Sequence, residues 1–237
     1  MTASLLEFAG VAKSFGGLRP LRVAELRVAP GQRSAILGLD RPAAETFVNL
    51  ATGAALPDAG EVTLFGRPTS AIEDSADWLA TVDRIGIVSE RAVLLDQFTP
   101  IQNLAMPFTL DVEPPPPDER ARGEALASEA GVVETSWSTP LAHLDAAAAM
   151  RVRLGRAIAL DPALLLLEHA SAPLPREAVA SFAETIARVA ANRAIAVVAL
   201  TADEAFARAL GGVIFDHDAA SGRLKERGRG WFAARRR

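Results

Sequence analysis

Apolar and polar positions alternate along the chain in two different registers, and the switches between them set the expected elements. Short β-rich runs over residues 5–8 and 21–28 precede a third over 33–37. Pro42 and the spacing of Phe47, Leu50 and Ala51 then predict a helix, giving strand, turn, helix. Residues 62–65 and 85–88 read as further strands, with Gly66-Arg67-Pro68 and polar segments as punctuation. The middle of the chain behaves differently. Prolines 114–117 predict a stiff spacer, Asp118 is the expected cap of a helix running to about residue 130, and Gly131 is its stop. A second helix places Met150, Leu154, Ala157 and Ile158 on one face, so residues 95–158 are expected to form a helical insert. After Asp161-Pro162 the pattern returns to strand 164–167, helix 176–191, strand 195–200, helix 203–210 and strand 213–215. Near-continuous apolar strands separated by amphipathic helices imply an α/β protein with a parallel sheet covered on both faces. No internal repeat and no heptad pattern is visible.

Composition narrows the class. The chain has 237 residues, 50% of them hydrophobic and 23% charged, which suits a globular protein with one two-lobed domain or two small ones. A formal net charge of -4, with scattered arginines, argues against a nucleic-acid partner. Without cysteines there are no disulfides, zinc-thiolate sites or thiol nucleophiles. The longest apolar runs, 163–167 and 194–200, fall far short of the roughly 20 residues that cross a bilayer, and no secretory signal is visible. A cytoplasmic protein is expected. Lys13 and Lys225 are the only lysines, so no candidate phosphate loop between them holds one.

Several phrases carry a resemblance. "VAKSFGGLRPL" and "VAPGQRSAILGLD" stand near the N-terminus, "RVRLGRAIALDPALLLLEHASAPL" follows the insert, and "VVALTADEAFARAL" and "GGVIFDHDAASGRLKERG" come last. In order and spacing, over essentially the whole chain, they resemble the ATP-binding subunit of an ABC transporter. The resemblance implies a P-loop NTPase-like cassette with a mixed, largely parallel sheet, an N-terminal antiparallel β portion and a helical insert. Residues 1–94 and 159–237 would then form the RecA-like and β lobe, and 95–158 the insert. It also implies ATP and Mg²⁺ as ligands.

A working phosphate loop needs glycines to turn successive N–H groups toward phosphate, a lysine to neutralise charge and a hydroxyl for Mg²⁺. The matching residues are Gly38, Leu39, Asp40, Arg41, Pro42, Ala43, Ala44, Glu45 and Thr46. Gly38 and Thr46 fit the family pattern. Arg41 and Ala43 replace glycines, Ala44 replaces the lysine, Pro42 removes an N–H, and Asp40 and Glu45 add negative charge. Arg41 is weighed as a substitute for the lysine, against an ordinary strand-to-helix turn capped by Asp40 with Pro42 in the first turn. Phe15 matches the aromatic that would stack on adenine, and a core phenylalanine explains it equally well.

The family's other sites depart as well. Glu168 stands at the metal-organising acid and His169 at the catalytic glutamate, where it is read either as a general base or as a structural residue. Glu90 takes the place of the Q-loop glutamine, which makes Glu90, Thr46 and Glu168 the candidate metal ligands. Ala202 replaces the switch histidine and Pro175 the D-loop aspartate. The signature equivalent is Leu144, Asp145, Ala146, Ala147 and Ala148, with a carboxylate near a partner's γ-phosphate.

The resemblance therefore implies a degenerate ATPase, inactive or weakly active. Such a chain would act by docking on permease subunits, through a segment that includes "TPIQNLAMP", and by pairing with a second cassette as a homodimer or heterodimer. It would sit at the inner face of the membrane through its partner. The other reading is a non-enzymatic scaffold or regulatory protein that reuses the fold. The terminal Trp231, Phe232 and three arginines are weighed as a membrane-surface contact against a solvated tail.

Overall fold

Residues 4–16 and 19–228 are described by the structure, a computed structural model. The terminal Trp231, Phe232 and arginines lie outside the described residues.

Strand β1 (Leu6–Lys13) buries Leu6, Phe8 and Val11 and pairs antiparallel with β2 (Leu21–Val28), Leu6 opposite Val28. Strand β3 (Arg33–Leu37) enters a different sheet and leads into helix α1 (Arg41–Ala51). Strand β4 (Ala59–Leu64) returns to the free edge of β1, and β5 (Arg67–Pro68) completes a four-stranded antiparallel sheet in the order β2-β1-β4-β5. Helix α2 (Ser75–Val82) and strand β6 (Ile85–Ser89) follow. Helices α3 (Pro100–Ala105), α4 (Pro117–Ala130) and α5 (Ala146–Ala157) then occupy the stretch expected to be helical. The remainder is β7 (Leu164–Glu168), α6 (Arg176–Arg193), β8 (Ala196–Thr201), α7 (Glu204–Leu210), β9 (Val213–His217) and β10 (Leu224–Glu226).

The second sheet has six strands in the order β10-β9-β3-β8-β7-β6. Its pairings are parallel except for β10 on β9. Leu164, Leu165, Leu166 and Leu167 are each 0% exposed, which is why the sequence shows an unbroken apolar run rather than alternation. Leu165 and Leu167 join one core with Met150, Phe182 and Phe206 from α5, α6 and α7. Leu164 and Leu166 join the other, which holds Phe47 of α1 and Leu6 and Phe8 of the antiparallel sheet. The second face of the parallel sheet is thus covered by a helix and another sheet. Phe8 and Phe47 stack there with ring centroids 4.5 Å apart, and truncating Phe47 to alanine is of the class that costs about 3 to 5 kcal/mol.

Several local expectations shift. Asp118 is not the cap of α4: Pro116 holds that position and Pro117 opens the helix, where its missing N–H has no intrahelical partner to lose. The proline spacer is correspondingly shorter. Gly131 does close α4, in the left-handed conformation at φ 75°. Among the described residues, no helix is long and apolar enough to cross a membrane.

Candidate functional site

Strand β3 ends at Gly38, whose φ of 99° turns the chain beneath β9; a Cβ there would stand 3.1 Å from the carbonyl oxygen of His217. Gly38 is the one residue from 38 to 46 with positive φ, so the loop lacks the run of left-handed turns that points several amides at one anion. Helix α1 instead begins at once. Asp40 is its N-cap, with Oδ1 accepting from the Ala43 N–H at 2.9 Å and the backbone carbonyl accepting from the Ala44 N–H at 2.8 Å. Pro42 sits in the first turn. A carboxylate of the chain itself therefore occupies the positive end of the helix.

The other residues of the turn are also engaged. Ala44, at the lysine position, is 0% exposed in the core beside Phe47 and Leu50. The Thr46 hydroxyl donates back along the helix to the Pro42 carbonyl at 2.8 Å. Arg41 pairs with Glu90 at 3.1 Å. Phe15 is half-buried and packs on the second core while lining a cleft of about 670 Å³ with Arg19, Leu39, Asp40, Pro42 and His217.

The parallel register of β6 on β7 sets Ser89 beside Glu168, and two residues later Arg91 closes over that carboxylate. Its Nε donates to Glu168 Oε1 at 3.0 Å and its Nη2 to Oε2 at 2.6 Å, a two-pronged pair. The Nη1 donates to Glu45 of α1 at 2.9 Å. Glu168 is 7% exposed, whereas the Arg91 and Glu45 side chains are each 46% exposed. Hydrogen bonding to Glu168 raises the Arg91 pKa above its ordinary value, against a smaller effect of burial. Sequence reasoning missed Arg91.

His169 follows Glu168 in the left-handed region at φ 45°, its N–H donating to the Leu200 carbonyl at 2.8 Å. Its Nε2 is buried without a hydrogen-bond partner, beside a cleft of about 580 Å³ lined also by Ser171, Thr201, Ala202 and Asp203. At the signature equivalent Asp145 caps α5, accepting from the Ala148 N–H at 2.7 Å, and Leu144 packs on the first core. Pro175 precedes α6 as its cap. Of the three expected metal ligands, Glu168 pairs with Arg91, Glu90 pairs with Arg41, and the Thr46 hydroxyl donates to the Pro42 carbonyl. Among the described residues there is no group of three or more His, Cys, Asp or Glu able to hold a metal ion.

No family model matches the chain. It is 27% identical over 190 residues to the lipoprotein-releasing system ATP-binding protein LolD of Pseudomonas fluorescens, covering 80% of this chain and 83% of that protein. It is 27% identical over 233 residues to the methionine import ATP-binding protein MetN of Brucella abortus, covering 97% of this chain and 61% of that protein. Among solved structures, cbiO1 of Clostridium perfringens, part of the ABC transporter complex cbiONQ, aligns with a TM-score of 0.78 at 18% identity. That alignment covers 94% of this chain and 87% of the other. The dimeric MJ0796, a bacterial ABC transporter cassette, aligns with a TM-score of 0.75 at 20% identity over 94% of this chain and 99% of that one. In fold the chain is an ABC cassette, and its sequence resembles the ATP-binding subunits of ABC transporters over nearly its whole length.

Proposed function

We propose that this chain serves as the cassette subunit of an ABC transporter while hydrolysing ATP weakly or not at all. The observation that carries the reading is the carboxylate of Asp40 on the Ala43 amide. A magnesium-bound triphosphate does not suit these residues. The helix terminus already holds an anion, the lysine position is a buried alanine, and Arg41 and Arg91 are paired with carboxylates. His169 borders the second cleft with its Nε2 enclosed and unpartnered, so no side chain orients that nitrogen as a base.

The work then falls to contacts with other chains. Val93 is 74% exposed and Leu160 51% exposed, and both border a cleft of about 440 Å³ with Val82, Leu94 and Arg153. This is the surface proposed for docking on a permease, with a second cassette completing the dimer and the pair held at the inner face of the membrane. The relatives named for lipoprotein release and methionine import differ in cargo, so cargo selection is assigned to the membrane partner. Phosphate release by the pure chain, measured alongside copurification from membranes, tests the proposal. Negligible release with a permease in the complex is expected. Steady turnover abolished by His169→Ala, or a stable complex with soluble proteins alone, contradicts it.

A further inference from the structure

Glu168, at the end of β7, stands where the family resemblance implies a metal-organising acid, and here its carboxylate is already engaged. We propose that Arg91 is the resident cation of this cleft, its guanidinium holding Glu168 and Glu45 together in place of a divalent ion. This rests on the reading of the chain as a cassette that does not depend on Mg·ATP, and it names the residue responsible.

Three observations support it. Both oxygens of Glu168 are engaged by Arg91, at 3.0 and 2.6 Å, so an ion must first displace the guanidinium. Among the ion pairs of the described residues, this one holds the most enclosed acid, with Glu168 7% exposed. An enclosed carboxylate needs a permanent counter-charge far more than a surface one does. Finally, the planar fork of arginine matches a carboxylate with two donors while leaving Nη1 for Glu45 at 2.9 Å. Magnesium instead demands near-octahedral oxygens and keeps several waters.

The same residue secures the passage from β6 to the helical insert. Arg91 ties that passage to β7 and α1, and its N–H donates to Ser89 Oγ at 3.1 Å. Arg153 Nε donates to the Ala92 carbonyl at 3.0 Å, and Arg156 Nη1 to the Val93 carbonyl at 2.7 Å. Residues 91–93 are therefore held by arginine side chains on two sides, Arg91 reaching β7 and α1 and Arg153 and Arg156 reaching out from α5.

The test uses the full chain, with Mn²⁺ binding followed by electron paramagnetic resonance and thermal unfolding followed in MgCl₂ against potassium chloride of equal ionic strength. The wild type is expected to bind no stoichiometric Mn²⁺ and to unfold at a temperature indifferent to magnesium. Arg91→Ala should unfold about 5 to 10 °C lower and recover much of that loss in millimolar MgCl₂, because the vacated place lies between two carboxylates. Arg91→Ala combined with Glu168→Gln should lose the response to magnesium, and Arg91→Lys should need less of it than Arg91→Ala. A stoichiometric Mn²⁺ site in the wild type that Glu168→Gln abolishes overturns the proposal, and this arm decides even if Arg91→Ala does not fold. A folded Arg91→Ala variant whose unfolding ignores magnesium also overturns it. Either failure leaves the reading of the chain's function intact, which steady Mg·ATP turnover by the wild type would refute separately.

Discussion

Restoring the missing lysine should not restore the site, and Ala44→Lys shows why. In this turn α1 starts three residues before position 44, so the Ala44 side chain faces the core with 0% exposure rather than the loop mouth. Its surroundings are apolar: Phe47, Leu50 and Leu39 belong to the same cluster. A lysine there must enclose its ammonium without a partner or force the helix outward. Enclosing one unpaired charge costs several kcal/mol, about 3 to 5 for a site of this kind. For a chain of this size that corresponds to a fall of about 6 to 20 °C in unfolding temperature. Enclosure lowers the folded-state pKa of such a lysine, so the unfolded chain binds more protons and stability rises with pH. The deficit should therefore shrink as pH approaches the ordinary lysine value near 10.4. Urea unfolding at several pH values, with calorimetry for Mg·ATP on the same protein, measures both halves. A variant as stable as the wild type that gains micromolar ATP binding would refute the reasoning, because it would mean that position 44 faces a working phosphate cradle.

Other substitutions follow from the same geometry. Asp40→Ala removes the α1 cap and should cost about 1 kcal/mol, read as a fall of roughly 2 to 4 °C, whereas Asp40→Asn should keep most of the stability. Glu168→Gln should cost about 1 to 3 kcal/mol because the carboxylate is enclosed, and Glu45→Gln at most about 1 because that pair is 46% exposed on both sides. Paired denaturation curves that rank them the other way would deny that the Glu168 contact is the principal one. Three surface carboxyls have pKa values held below the ordinary range: Asp58 by hydrogen bonding from Lys13, Asp77 by Arg67, and Asp218 by Ser221. Their folded-state values are depressed, so their stabilisation is complete above the unfolded value near 3.9 and fades as pH falls through the folded values. Stability should thus be insensitive to these groups near neutrality and decline below about pH 4.

The central strands and long helices were legible because burial leaves an unambiguous record. Leu164 to Leu167 announce a strand covered on both faces, and α6 runs from the predicted start at Arg176, ending at Arg193. Helix α2 left no such record, since none of its residues is buried and its polar face and core face read alike. Helix α3 has six residues, too few for a period to emerge, and its start depends on the reciprocal Thr99 and Gln102 capping contacts. At α4 the chemistry of Asp118 suggested a cap, but the helix begins two residues earlier than that cap implies, at Pro117 with Pro116 before it. The altered phosphate loop could be read residue by residue, and the ordinary capped turn was among its readings. Arg91 could not be read in this way. Its contact with Glu168 spans 77 residues and exists only because β6 and β7 pair in one particular register.

The most direct test of the account is equilibrium binding of Mg·ATP to the purified wild-type chain by calorimetry. The occupied helix terminus and the paired arginines predict no binding up to millimolar nucleotide. Micromolar binding, about -8 kcal/mol, would contradict it and show that the loop after β3 still accepts a triphosphate.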